Sequence, residues 1–324
     1  MVWTLSVGAA VFALSLACTG LMLRWLRGRA ILDHPNARSS HAVPTPRGGG
    51  VAVIVALLAG LLAAQMRWPV YGFYFVMTAA LGLAALSWLD DLRGLPAWLR
   101  LVGQAIAVLV AMPWLGFGGD VFQNLLPPAA ALVLSALVWL WFLNLFNFMD
   151  GIDGISAVEA ASVGLGLALI SGITAHSVMG PMPGLAVAAA AAGFAVWNWQ
   201  PAKVFLGDVG SVPLGFLIGG LLLKLAADGY WAPALILPLY YLADASITLV
   251  RRMARGARVW EAHREHFYQR AVAAGRSHAQ VSLAVLAANL ALIGLSVLAL
   301  AAPWLGLAGA CLVVAALLTW LARR

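Results

Sequence analysis

The sequence predicts an all-α, polytopic membrane protein of about eleven transmembrane helices, and three observations carry that prediction. Hydrophobic residues make up 63% of the 324 and charged residues 10%, where soluble domains hold roughly 45–50% and about 25%. The apolar residues fall into segments of the length a bilayer crossing requires, about 20 residues each. With the N-terminus outside, every one of the 19 Lys and Arg residues except Arg67 and Lys224 falls in an inner loop or at an inner, cytoplasmic C-terminal end. Such a bias sets topology, and ten or twelve helices would break the alternation.

The segments are expected at 2–23, 49–66, 70–89, 98–115, 126–144, 155–175, 183–199, 211–226, 231–250, 280–300 and 304–322. The first has no basic residue before it and Arg24, Arg27 and Arg29 after it, the reverse of a secretory signal, so it reads as a retained anchor. The segment at 211–226 is the shortest. The whole chain, 1–324, reads as one integral-membrane domain with cytoplasmic loops at 24–48, 90–98, 145–155, 198–211 and 251–279. Cys18 and Cys311 lie in apolar segments far apart and read as packing residues. The basic pI of about 10.0 follows from the positive-inside bias. No soluble domain remains to carry a nucleic-acid recognition fold; anionic lipid and phosphorylated ligands are the fitting partners.

The outer loops are chemically poor. Asp120, His176 and Asp228 read as solvated loop residues, and no outer loop combines a nucleophile, a base and an orienting group. Function therefore belongs to the inner face, where most of the acids are. Asp90 and Asp91 end the third segment. Acids at a helix C-terminus oppose the macrodipole, so a pair of them there needs another purpose, such as a proton acceptor beside a phosphate or part of a metal site.

In the run NLFNFMDGIDG, Asn144, Asn147, Asp150 and Asp153 recur every three residues and would share one face if helical. Gly151 and Gly154 break a simple helix, and Ser156 with Glu159 matches a capping box for the sixth helix. In VFLGDVGS, Asp208 precedes Ser211, a plausible cap for the eighth helix. Free backbone N–H groups between Gly207 and Gly210 would suit a phosphate, with Asp208 holding a divalent cation against it. Arg38 and Arg47 belong to the first inner loop, whose PTPRGGG reads as a tight turn. Asp244, near the end of an apolar helix, is expected to pair with a nearby Arg. His34, His41 and His278 read as loop residues, and Arg251, Arg252, Arg255 and Arg258 as mainly topogenic.

Taken together, the pieces DHPNARSSHAVPTPRGGG, DD at 90 and 91, NFMDGIDG, KVFLGDVGS, the run Asp244, Thr248, Arg251 and Arg252, and HREH at 263–266 follow one another from inner loop to inner loop. In that order they resemble the polyprenyl-phosphate N-acetylhexosamine-1-phosphate transferase family, of the glycosyltransferase family 4 type. The resemblance covers about residues 30–270. It implies transfer of a sugar-1-phosphate from a UDP-N-acetylhexosamine, or a 6-deoxy relative, to a polyprenyl (undecaprenyl) phosphate, with release of UMP and a need for Mg2+ or Mn2+. It also implies a multi-pass protein of a bacterial inner membrane with a cytoplasmic active site.

Carried over by position, Asp208 looks like the metal-binding aspartate and Asn147 like a helper ligand. Asp90 and Asp91 look like the catalytic pair, and His266, with Arg264 beside it, like the motif that contacts the pyrophosphate. Asn198 and Phe205 match positions near the uridine. Lys203, Arg38 and Arg47 add positive charge, and Asp150 and Asp153 hold the site together.

His266 is followed by Phe267, Tyr268 and Gln269 where the muramoyl-pentapeptide enzymes carry three histidines. The chain thus looks closer to the O-antigen-initiating branch, the muramoyl-pentapeptide reaction of peptidoglycan synthesis being the alternative. A transporter would show internal repeats and ionisable groups at mid-membrane, whereas these acids sit at helix ends. A second copy of the chain is left open as a partner.

Overall fold

The computed structural model describes residues 2–35, 43–118, 121–174, 180–257 and 263–323. Arg38, His41, Asp120, His176 and Arg258 lie outside the described residues. The architecture is all-α, built on the helices α1 (Val2–Gly28), α2 (Gly50–Arg67), α3 (Phe73–Arg93), α4 (Ala97–Ala111), α5 (Pro128–Phe148), α6 (Ile155–Ile173), α7 (Met182–Asn198) and α8 (Asp208–Ala227). Then come α9 (Trp231–Ile236), α10 (Leu239–Ala254), α11 (Phe267–Ala273), α12 (His278–Leu298) and α13 (Pro303–Ala322). A 3-10 turn, Met112–Gly118, extends α4.

All eleven expected segments are present. Among the described residues nine helices are long and apolar enough to cross a membrane, and α7 is a shorter apolar one. The segment expected at 231–250 is broken into α9 and α10 at Leu237 and Pro238. Proline offers no N–H to the preceding turn and its ring clashes there. Sequence periodicity alone placed the start of the eighth helix at 211, three residues late, because the group that caps it comes from another helix.

α8 sits at the centre. It packs on α3 and α5, with α2 and α6 also against it. Of its most apolar window, 89% is buried, as expected of a helix apolar on every side. Proximity is bought with glycine at one point: a Cβ on Gly50 would stand 2.2 Å from Gly210 Cα, so α2 and α8 touch backbone to backbone where both begin.

Described residues of the segments expected as inner loops meet at one end of the bundle. Strands β1 (Leu32–Asp33) and β2 (Thr45–Pro46) pair antiparallel. The turn after them is tied to the loop before α8 by Gly48 N and Gly49 N donating to Phe205 O, and by Phe205 N donating to Pro46 O. Gly48 has φ +115, and a Cβ there would meet Trp88 at 2.6 Å. The PTPRGGG turn is thus pinned between α3 and the loop at Phe205.

Candidate active site

Asp91 and Asp208 come together through the start of α8. The Asp91 carboxylate accepts from Asp208 N at 3.2 Å and Val209 N at 3.0 Å. The N-cap position itself is Gly207, φ +74, with no side-chain cap of its own. The cap expected from Ser211 is therefore supplied in trans by α3. The N–H groups expected to be free for phosphate are in part already taken by a carboxylate, which also complements the positive end of the helix dipole. Ser211 instead donates to Asn147 Oδ1 at 2.7 Å.

Arg47 Nη2 lies 2.8 Å from Asp91 Oδ1 and 2.7 Å from Asp208 Oδ1. Asp90 turns the other way: its Oδ1 accepts from Leu95 N at 2.6 Å and its Oδ2 meets Arg100 Nη1 at 3.1 Å. Arg100 also stands 3.7 Å from Asp208 Oδ2. Two adjacent acids at a helix C-terminus are thus explained by two arginines and a second helix's N-terminus. Arg100 is the residue that sequence reasoning missed. A cation in the first turn of an apolar helix opposes the dipole, and that misfit was the available signal.

The three-residue recurrence from Asn144 to Asp153 is not one helical face, because α5 stops at Phe148. Asn144 donates to Gln104 Oε1 on α4 at 2.9 Å, and Asn147 meets α8 through Ser211. Asp150 and Asp153 lie in the loop beyond, among residues 149–154. Burial pushes the Asp150 carboxyl up to about 6; the charges of Asp208 and Asp91 act the same way, opposed by a Ser156 hydrogen bond and by Arg47. Asp150 therefore belongs electrostatically to the Asp91–Asp208 group.

Asp153 is a clamp. Its Oδ2 accepts from Ala202 N at 3.1 Å, and its Oδ1 lies 3.3 Å from Nδ1 of His278, which is buried at the start of α12 rather than loose in a loop. Asn198 is likewise committed, accepting from Gly154 N at 3.0 Å and donating to Val204 O at 3.0 Å. Both acids and amides here hold loops. Lys203 Nζ sits 5.4 Å from the Trp197 ring centre, and Phe205 is half-buried beside Arg47, with which it forms a parallel bridge.

A capping box of Ser156 and Glu159 is not formed. The N-cap of α6 is Gly154, the Ser156 hydroxyl is 3.2 Å from Tyr241 Oη, and Glu159 Oε2 accepts from Asn289 Nδ2 at 2.7 Å. A longer-range amide on α12 outcompetes the local partner. Asp228, expected to be solvated, pairs with Lys224 at 2.7 Å.

A second polar group surrounds Asp244. In place of an arginine, its Oδ1 faces His266 Nδ1 at 3.2 Å and Thr248 Oγ1 at 3.3 Å. It also accepts from Phe267 N at 3.0 Å and Tyr268 N at 3.3 Å. The buried carboxylate thus caps α11 and fixes the His266 ring. The His263 ring stacks on His266 at 4.9 Å. Burial lowers His263 to about 4, with His266 adding to the effect. Arg252 and Arg255 both pair with Glu265, while Arg264 lines a basic recess with Arg251, Arg255 and Arg270. Tyr268 Oη donates to Phe148 O at 3.1 Å, which joins this group to the Asp150 loop.

The sequence model of glycosyl transferase family 4 matches residues 73–226, from α3 almost to the end of α8. That span holds Asp90, Asp91, Asn147, Asp150, Asp153, Asn198 and Asp208. Over that span the chain resembles this family. Similar proteins include a decaprenyl-phosphate N-acetylglucosaminephosphotransferase of Mycobacterium leprae, 26% identical over 322 residues, 86% of this chain and 79% of the relative. A probable undecaprenyl-phosphate N-acetylglucosaminyl 1-phosphate transferase of Bacillus subtilis is 28% identical over 258 residues, 76% of this chain and 71% of the relative. A phospho-N-acetylmuramoyl-pentapeptide-transferase of Mycobacterium avium is 30% identical over 224 residues, 55% of this chain and 62% of the relative. By this likeness the chain is a membrane-embedded transferase, and the span shared with the family model is the α3–α8 unit carrying the acids.

Among the described residues no three or more His, Cys, Asp and Glu side chains form a ready-made metal cage. The donor chemistry nonetheless fits a hard divalent ion: carboxylate and amide oxygens converge at one helix end. Asp90, Asp91, Asp150 and Asp208 there face the two guanidinium groups of Arg47 and Arg100, leaving negative charge in excess.

Proposed function

We propose that this chain transfers N-acetylhexosamine-1-phosphate from a UDP-sugar to a polyprenyl phosphate, at the cytoplasmic face of a bacterial inner membrane, releasing UMP. The observation that carries the reading is the Asp91–Arg47–Asp208–Arg100–Asp90 chain of contacts at the membrane end of α3 and α8. Relatives named for N-acetylglucosamine phosphate transfer to decaprenyl or undecaprenyl carriers support the donor and acceptor classes. The lipid-linked product would begin a surface polysaccharide of O-antigen type. The muramoyl-pentapeptide reaction is the less supported reading, because such relatives match a shorter part of the chain and the three-histidine run is absent.

In the proposed reaction an oxygen of the acceptor phosphate attacks the sugar-bearing phosphorus of the donor. The bond from that phosphorus to the bridging oxygen breaks, and UMP leaves with its electron pair. Two anions must meet, so positioning and charge neutralisation dominate catalysis. Arg47 and Arg100 supply fixed positive charge, each braced by two carboxylates. Arg264 supplies more toward the donor pyrophosphate, and His266, its ring held by Asp244, offers a ring nitrogen there. Asp150, poised near the second ionisation of a phosphate monoester at about 6, is suited to take a proton from an acceptor that arrives protonated. Mg2+ or Mn2+ would be held by Asp208, with Asn147 and Asp150 near, and would supply Lewis-acid neutralisation of the pyrophosphate.

The test is UMP release by purified protein in detergent with UDP-N-acetylhexosamines, a divalent ion and polyprenyl phosphate. Release that requires the lipid phosphate is expected. Intact protein giving none with any donor of the set would overturn the reading.

A further inference from the structure

Two consecutive N–H groups at the end of the Asp150 loop are taken by side chains of two different helices. Asp153 N donates to His278 Nδ1 at 3.3 Å, and Gly154 N donates to Asn198 Oδ1 at 3.0 Å. One turn further along α12, Ser282 Oγ donates to Asp153 O at 2.9 Å. His278 and Ser282 are four residues apart and so share a face of α12. Both are buried, and together they hold both main-chain polar atoms of a single residue.

The same helix start also reaches the neighbouring loop. Asp153 Oδ2 accepts from Ala202 N at 3.1 Å, and Gln200 Oε1 accepts at 2.6 Å from the N–H of Ala279, the residue after His278. The 199–207 loop, which carries Phe205, is thereby tied to the turn of α12 that holds Asp153. At the other end of the Asp150 loop, Tyr268 Oη donates to Phe148 O. A Cβ on Gly151 would stand 2.2 Å from that hydroxyl, so the loop is packed closely between its two anchors.

His278 Nδ1 has two neighbours and can serve only one. Asp153 Oδ1 also lies 3.3 Å from it. Accepting the main-chain N–H requires a bare Nδ1 with the ring proton on Nε2. Donating to the carboxylate requires the proton on Nδ1 and strands a buried N–H. The geometry selects the first, because the Asp153 carboxylate already has Ala202 N while the main-chain N–H points at His278 Nδ1.

We infer that His278, with its ring proton on Nε2, is a positioning residue of the transferase: through the Asp153 main chain it sets the Asp150 carboxyl and the Phe205 loop relative to each other. This role rests on the transferase reading above. It adds to the reaction a side chain that lies beyond the span matched by the family model and outside the acidic cluster.

The test pairs His278→Ala with His278→Asn. Asn places an amide oxygen near the Nδ1 position and can accept the Asp153 N–H, whereas Ala cannot. In His278→Ala, kcat/KM for the UDP-sugar should fall by about 10- to 100-fold, the scale of a small misplacement at a reacting centre. KM for the UDP-sugar should rise, KM for polyprenyl phosphate should stay unchanged, and His278→Asn should recover most of the loss. A drop in kcat that only follows the amount of folded protein, with both KM values intact, overturns the role, as do equal losses in the two variants. Amide hydrogen exchange over residues 149–154, measured on purified protein in detergent, needs no turnover. Faster exchange there in His278→Ala than in His278→Asn or the unsubstituted protein supports the clamp, and identical exchange in all three overturns it. Ser282→Ala releases the other main-chain atom of Asp153 and is read in the same way if His278→Ala fails to fold. Absence of UMP release from the unsubstituted protein would sink the transferase reading, while the exchange comparison would still decide the clamp.

Discussion

Asp91, near the last turn of α3, holds the N–H of Val209 at 3.0 Å, so one carboxylate both caps the central helix and sets the position of Asp208 beside it. The same carboxylate anchors Arg47. Stability and chemistry therefore meet in one side chain. Asp91→Ala is expected to cost about 0.5–2 kcal/mol of stability, the range for loss of an N-cap, and to lower turnover well beyond that loss of folded protein. Thermal unfolding in detergent set beside UMP release measures both, and normal turnover in the variant would remove Asp91 from the site.

Arg100 bridges Asp90 and Asp208. Its replacement by Ala leaves those two carboxylates facing each other with one cation fewer. A fall in kcat of about 100-fold is expected, the scale for losing one charge-stabilising donor, with partial recovery in Arg100→Lys. A wild-type kcat in Arg100→Ala would show that Arg47 suffices.

Asp208→Asn removes charge but hardly changes shape. Turnover should vanish, or survive only at much higher Mg2+, if Asp208 holds the ion. An activity curve against Mg2+ that overlays the unsubstituted protein's would exclude that role.

Asp150 is raised to about 6 by burial first and by Asp208 and Asp91 next. Its native form binds a proton that the unfolded chain, with an ordinary carboxyl near 3.9, has already released between the two values. Stability from this group is therefore fully present below the unfolded pKa and is lost as pH rises through about 6. Between pH 4 and 7 the unfolding temperature of Asp150→Asn should gain on that of the unsubstituted protein. Parallel curves would contradict the raised ionisation. Because a phosphate acceptor titrates in the same range, this stability comparison separates the two where a pH–rate profile would not.

Glu159 and Asn289 join α6 to α12 inside the bundle, one 2.7 Å hydrogen bond between two buried side chains. Asn289→Leu strands the carboxyl and should cost about 1–3 kcal/mol. The double variant Glu159→Leu, Asn289→Leu should recover part of that loss, and a double variant no more stable than the single would argue against the pairing.

Much of the architecture is legible in the chain itself. Segment lengths and the alternation of Arg and Lys dictate the number of apolar helices, because bilayer thickness and the cost of charge in hydrocarbon act on every segment independently of its neighbours. The PTPRGGG turn and the placing of most acids at helix ends follow from the same local rules. Which acid does what does not. Asp90 and Asp91 are adjacent in sequence yet serve different helices, Asp244 takes a histidine instead of an arginine, Glu159 leaves its local cap for Asn289, and Arg100 enters the site from a helix with no motif. Each of these depends on a partner between 10 and 130 residues away, and the free energy of pairing a buried charge depends on what packs against it in space. The number and length of the apolar helices were thus set by one-dimensional rules, while the division of labour among the carboxylates was decided only when α2, α3, α4 and α8 came together.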